Sequence, residues 1–267
     1  MRLKFTLRSS SRSINANYNY HLSAAIYDLL RLGSPEFAEF LHDTGFQLET
    51  GKTFKLFTFG VEFPNVKAVG EQLLFIDKYA ALFISSPLTE KFLHSFVTGT
   101  VQKSIFKVGT PTKYTNFIIE ELTVVPEPVF TGEMEFRLIS PMVISRPTVS
   151  SEGKRGTYYL RPDDEDEASE ILTNNLIHKH FLSTGIDLTG KAEVKLQWDK
   201  NYISRRKRVT KKVTINPNSP NATDIIGVLA PFKISGDPEL IKTGYECGFG
   251  NKNSMGFGMA KIQTEKL

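Results

Sequence analysis

The chain has 267 residues, 40% of them hydrophobic, and a formal net charge of +4, enough for one large or two small domains that each bury a core. Its single cysteine, Cys247, excludes an internal disulfide and a cysteine-rich zinc site. The polar–apolar alternation of residues 1–8 excludes a signal peptide, and no apolar run is long enough to cross a bilayer, so no membrane partner and a cytoplasmic location are expected. The small net charge conceals two opposed clusters: six positive charges in the eight positions 205–212, and five negative charges at 163–167.

Leu3, Phe5 and Leu7 alternate with polar neighbours and predict a half-buried first strand. Residues 20–32 place Ala25, Ile26, Leu29, Leu30 and Leu32 on one helical face, and Gly33 ends that helix. Ser34-Pro35-Glu36 then opens a second short helix to about residue 43, with His42 in its last turn. Strands are predicted at 54–59, 73–77 and 79–85. Ser86-Pro87 with Glu90 opens a helix through about residue 97, with His94 partly buried in it, and 102–107 and 114–125 are extended. This is the element order of a ferredoxin-like unit. Pro126-Glu127-Pro128 reads as a linker.

The second half repeats the scheme. A strand is predicted at 134–144 and a helix at 163–182, its acidic run at the N-terminus, where the dipole favours negative charge. Residues 191–198 form a strand with Ala192, Val194, Leu196 and Trp198 on one side. Strands at 206–215 and 225–234 flank a turn-rich stretch at 217–221. Asp237-Pro238 caps a short helix, and the last strand is 259–262. The expected fold is α+β: two tandem ferredoxin-like (RRM-like) βαββαβ domains, residues 1–125 and 129–267, a sheet topology that serves as an RNA platform.

Between the last helix and the last strand, residues 244–258 contain five glycines, with Gly-Phe-Gly occurring twice. Glycine lets backbone approach a ligand closely, and two Phe rings have no use in a flexible linker. Lys252, the amides of Asn251 and Asn253, the Ser254 hydroxyl and the backbone at Gly248, Gly250, Gly256 and Gly258 are chemistry for holding phosphate oxygens. A Walker loop is excluded because Lys252 follows Asn251, and the dinucleotide fingerprint fails at Asn253. The competing reading is a glycine-rich turn closing a terminal hairpin.

The basic run Arg205, Arg206, Lys207, Arg208, Lys211 and Lys212 suits a phosphate backbone. Edge-strand protection is the alternative, but six charges exceed what it needs. His178-Lys179-His180 reads as a solvated helix terminus, and no metal constellation or other cofactor site stands out. His42 carries the side chain whose ordinary pKa lies near neutrality and so suits proton transfer; a capping histidine is the alternative. Taken alone, Tyr27 is a core tyrosine and Lys55 a surface lysine.

The stretch 244–259 resembles the C-terminal glycine-rich motif of the CRISPR repeat-cleaving endoribonucleases of the repeat-associated mysterious protein superfamily. Residues 25–30 with 34–42, and Lys55-Leu56-Phe57-Thr58-Phe59, resemble that family's N-terminal helix region and following strand, so the likeness spans both halves. It implies a catalytic tyrosine, histidine and lysine at Tyr27, His42 and Lys55, with Lys52 the alternative because the intervening loop is longer than the family pattern. It also implies metal-independent cleavage of CRISPR repeat RNA in precursor transcripts (pre-crRNA), giving a 2′,3′-cyclic phosphate and a 5′-hydroxyl. The partners it implies are that RNA and, beyond it, a CRISPR effector complex, in which some relatives hold guide RNA without cutting it. A monomer or homodimer is expected.

Overall fold

A computed structural model describes residues 1–110, 112–149, 153–215, 220 and 222–263. The strand Arg2–Ser9 turns Leu3, Phe5 and Leu7 inward, each 2% exposed or less. It pairs antiparallel with Tyr79–Ser85 on one edge and Lys113–Val125 on the other. Thr58–Glu62 and Ile105–Thr110 extend this to five strands. Leaving aside the edge strand Ile105–Thr110, the other four, numbered in chain order as Arg2–Ser9, Thr58–Glu62, Tyr79–Ser85 and Lys113–Val125, stand in the ferredoxin-like order 4-1-3-2. Helices Asn19–Gly33 and Thr89–Gln102 bury Ile26, Leu30, Phe92 and Phe96 against the sheet, with Phe96 edge-on to Phe5.

The second sheet runs Val194–Trp198, Phe232–Gly236, Glu133–Leu138, Ala260–Ile262, again 4-1-3-2 read from its far edge. Helices Glu165–Thr184 and Pro238–Cys247 bury Leu172, Leu176, Leu240 and Ile241 in the same core as Phe136 and Phe232. The chain is therefore α+β with two tandem ferredoxin-like units, and each sheet draws its strands from one half.

Several elements differ from the sequence expectation. The strand expected at 54–59 is broken by Leu56, whose φ of 52° is left-handed. Thr53–Phe54 pairs with Phe46–Gln47, and the main-sheet strand begins only at Thr58. Gln72–Phe75 belongs to a small separate sheet with Ser13–Asn15 and Val66–Val69. The helix expected to end near 97 runs on to Gln102, and His94 on it is exposed. The strand expected at 134–144 stops at Leu138, ahead of Pro141, which has no amide to continue a ladder. Residues 225–234 divide between Thr223–Val228, which forms a hairpin with Thr210–Ile215, and Phe232–Gly236 in the main sheet. The turn expected at 217–221 lies outside the described residues except for Pro220. Among the described residues, no helix is long and apolar enough to cross a membrane.

The two units are locked by buried polar contacts. The Arg2 guanidinium, 3% exposed, donates to the carbonyls of Ala260 (2.7 Å) and Tyr245 (2.8 Å) and lies 3.5 Å over the Tyr245 ring. Thr58 Oγ1 donates to Phe257 O (3.0 Å), and Asn19 Nδ2 to Gly256 O (2.8 Å). The glycine-rich loop of the second unit is thereby laid against the first helix and the edge strand of the first unit.

Candidate active site at the junction of the two units

The helix Pro35–Glu39 widens into a π-turn at Phe40–Thr44, closed by a 2.6 Å bond from Gly45 N to Phe40 O. Such insertions re-aim side chains and recur at functional sites. Leu41 points into the core while His42 is exposed. Nδ1 of His42 lies 2.6 Å from Asp43 Oδ1, a contact that orients the imidazole and leaves Nε2 for chemistry. The Tyr27 ring, from the first helix, stands edge-on to His42 with centroids 5.2 Å apart. The Lys55 ammonium donates to the His42 carbonyl at 2.7 Å.

Tyr27, His42 and Lys55 line one cleft of about 370 Å³, and Ser254 and Met255 of the glycine-rich loop form its other wall. Burial pushes the Tyr27 phenol above its ordinary range; a hydrogen bond with Ser254 opposes this, and the Asp43 carboxylate adds to it. Burial lowers the Lys55 ammonium, opposed by Asp43. Lys52 does not line this cleft. It lines an adjoining one of about 490 Å³, with Asn251 and Lys252, and the two clefts share Lys55, Ser254 and Met255. The Lys52 ammonium lies 5.2 Å from the Phe54 ring centre and is lowered by burial.

The loop is built more as a structural insert than as an open cradle. Phe249 is fully buried with Phe136 and Phe232, and Phe257 in a second cluster with Val143 and Val213. Gly250 requires glycine: its φ is +79°, and a Cβ would lie 2.3 Å from Val143 O. At Gly256 (φ +82°) a Cβ would lie 2.7 Å from the Phe59 ring. Gly248, Gly250, Asn253, Gly256 and Gly258 are all buried, so they shape the loop, while Asn251, Lys252 and Ser254 reach its surface.

The basic run stands apart from both clefts. Arg205, Arg206, Lys207 and Arg208 are exposed between the short helix Lys200–Ser204 and the strand Thr210–Ile215, which was expected to begin at residue 206. Arg206 lies over Tyr202, Lys212 pairs with Asp224 at 2.8 Å, and Lys211 sits over the Tyr18 ring of the first unit.

Sequence reading passed over Asp43, and it misplaced Lys179. His178-Lys179-His180 is not a solvated terminus: Lys179 and His180 are 2% and 3% exposed inside the helix Glu165–Thr184. The signal was available, because Leu172, Leu176 and Lys179 fall at i, i+4 and i+7, on the apolar stripe.

Two ferredoxin-like units joined over a cleft that carries a tyrosine, a histidine and a lysine define a tandem-unit protein whose C-terminal loop completes a site begun in the N-terminal half. Comparison with known proteins gives the family. A family model described as CRISPR associated protein Cas6, C-terminal, matches residues 125–262, and one described as CRISPR-associated protein Cas6, N-terminal, matches 13–123. The chain is 30% identical over 270 residues to CRISPR-associated endoribonuclease Cas6 1 of Methanocaldococcus jannaschii, covering 100% of this chain and 94% of that one. It is 26% identical over 251 residues to CRISPR-associated endoribonuclease Cas6 of Pyrococcus furiosus, covering 94% and 84%. A solved structure described as CRISPR associated protein Cas6 matches with a TM-score of 0.74 at 28% identity, over 99% of both chains. The chain belongs to the Cas6 family.

Proposed function

We propose that this Cas6 protein is an endoribonuclease that cleaves CRISPR repeat RNA in precursor transcripts, with Tyr27, His42 and Lys55 as its catalytic residues. The observation that carries the assignment is the convergence of these three side chains on one cleft walled by the glycine-rich loop.

RNA brings its own nucleophile. A base takes the proton of the ribose 2′-hydroxyl, and that oxygen attacks the adjacent phosphorus in line. The bond to the 5′-oxygen breaks, and an acid protonates the departing oxygen. The products are a 2′,3′-cyclic phosphate and a 5′-hydroxyl. His42, held through Nδ1 by Asp43, transfers a proton at Nε2. Lys55 faces the non-bridging oxygens and offsets the charge that gathers on them. Tyr27, whose phenol burial keeps protonated, donates a hydrogen bond or a proton. Because an ammonium supplies the cation, the reaction needs no metal.

The units at 1–125 and 129–267 divide the work. The first carries the three catalytic residues. The second holds RNA through Ser254 at the cleft, through Asn251 and Lys252 in the adjoining one, and through Arg205, Arg206, Lys207, Arg208, Lys211 and Lys212 beyond both, so the RNA crosses the junction. Gly248, Gly250, Asn253, Gly256 and Gly258 serve RNA binding by shaping the loop. Such work on nascent transcripts belongs in the cytoplasm, and a retained product would join a CRISPR effector complex.

The test is incubation with end-labelled repeat RNA in EDTA. Cleavage to a cyclic phosphate and a 5′-hydroxyl is expected. Binding without cutting would leave a non-catalytic RNA-binding subunit, and cutting that stops in EDTA would overturn the metal-free reading.

A further inference from the structure

The buried ammonium of Lys179 has no part in the chemistry above, yet it has the most completely occupied surroundings of any lysine near the site. Its Nζ donates three hydrogen bonds, each 2.7 Å long, to Gly248 O, Gly250 O and Asn253 Oδ1. Three donors meet three acceptors, all of them on the glycine-rich loop. Asn253 in turn uses its amide on Phe249 O (3.4 Å) and Phe257 O (3.0 Å), linking the two Gly-Phe-Gly segments. The next residue is Ser254, whose carbonyl accepts from Ser23 Oγ (2.8 Å) and which lines one cleft with Tyr27. A hydrogen-bonded path therefore runs from Lys179 to Asn253, next in the chain to the residue that faces the cleft with Tyr27.

We propose that Lys179 is a positioning residue for RNA cleavage: its ammonium ties the glycine-rich loop into the one shape that sets Ser254 in the Tyr27 cleft and Lys252 in the adjoining one. The charge is essential to the tie, since a neutral amine has only two N–H bonds for three acceptors. Burial without a carboxylate partner draws this ammonium down to about 7. The titratable groups facing it are Lys52, which lowers it further, and Cys247 at the end of the helix Pro238–Cys247, which raises it. Lys55 and Lys252 line the same cleft, and among the described residues there it meets no Asp or Glu. Raising pH through neutrality removes the third proton, and the loop loosens.

This role rests on the cleavage reading only for its effect on rate; the loop itself can be followed without RNA. Amide hydrogen exchange at residues 250–256 should speed up in Lys179→Met, while exchange in the strand Glu133–Leu138 stays unchanged. Single-turnover cleavage at saturating RNA should fall on the order of 10- to 100-fold, the scale of a small displacement in an active site, and RNA affinity should fall as well, because the loosened loop carries Asn251, Lys252 and Ser254. The ratio of wild-type to variant rate should fall as pH rises through neutrality, since proton transfer at the active site titrates alike in both and cancels. A folded variant with wild-type loop exchange, or a rate ratio that stays constant with pH, overturns the proposal. Should the variant not fold, wild-type loop exchange corrected for its intrinsic pH dependence decides: protection falling from pH 6 to 8.5 supports the tie, and constant protection sinks it. Failure of the wild type to cut RNA would overturn the proposed function and leave the exchange result standing.

Discussion

The Lys55 ammonium donates a 2.7 Å hydrogen bond to the backbone carbonyl of His42. One contact thus fixes a cation beside the imidazole and pins the π-turn that presents it. The proposed mechanism gives neighbouring side chains separate duties, and each can be removed alone.

His42→Ala should lower the single-turnover rate on the order of 10²- to 10⁴-fold, the range for loss of a general acid or base. RNA affinity in filter binding should stay within a few-fold. Asp43→Asn keeps the contact to Nδ1 but admits the wrong tautomer, so a smaller loss in rate with unchanged affinity is expected. Equal affinity and equal rate in both variants would remove His42 from the chemistry.

Lys55 and Lys52 should separate by kinetic parameter. Lys55 lines the Tyr27 cleft and Lys52 only the adjoining one. Lys55→Met is expected to reduce kcat on the order of 10²-fold. Lys52→Met should raise the RNA Kd and leave kcat nearly intact. The reverse pattern would move the catalytic lysine to residue 52.

Burial raises the Tyr27 phenol above its ordinary range, so the group stays protonated through neutral and mildly alkaline pH. The wild-type pH–rate profile should therefore carry no limb from Tyr27 below pH ~10, the ordinary phenol value. Tyr27→Phe should lower the rate by the same factor at every pH from 6 to 9. A factor that changes across that range would mean the phenol titrates there.

Arg2 joins the units through two buried carbonyls and the Tyr245 ring. Arg2→Met leaves Ala260 O and Tyr245 O without that donor, at about 1–3 kcal/mol each. Urea unfolding should show a loss of about 2–6 kcal/mol. An unchanged midpoint would show that the junction is held elsewhere.

The exposed charges Arg205, Arg206, Lys207 and Arg208 should act on binding and not on chemistry. Replacing all four with Ser should flatten log K against log salt by roughly 0.7 for each phosphate of a single-stranded RNA that is no longer neutralised. The rate at saturation should hold. An unchanged slope would leave the run as solvated surface.

Much of the fold was legible because local periodicity carried it. Leu3, Phe5 and Leu7 announced the central strand, and Asp237-Pro238 announced a helix whose cap the structure shows, with Asp237 Oδ1 accepting from Glu239 and Leu240. Breaks inside apolar runs were not legible. Leu56 looks like any strand residue, yet a left-handed backbone there, with its carbonyl held by Ser86 Oγ, divides residues 53–62 into two elements. Residues 225–234 read as one strand because both pieces are apolar, although they pair in different sheets.

The amino-acid order alone settled the α+β class, the tandem ferredoxin-like units and the family resemblance, since these rest on periodicity and on a motif contiguous in the chain. Only the tertiary structure brought Tyr27, His42 and Lys55 to one cleft, set Ser254 across from them, excluded Lys52 from that cleft, and buried Lys179 beneath the loop. Those relations join residues up to 227 positions apart, from Tyr27 to Ser254, and depend on how two sheets dock. Side-chain pattern specifies which face of an element is apolar; the choice of what that face meets is made by packing between elements, which no local pattern encodes.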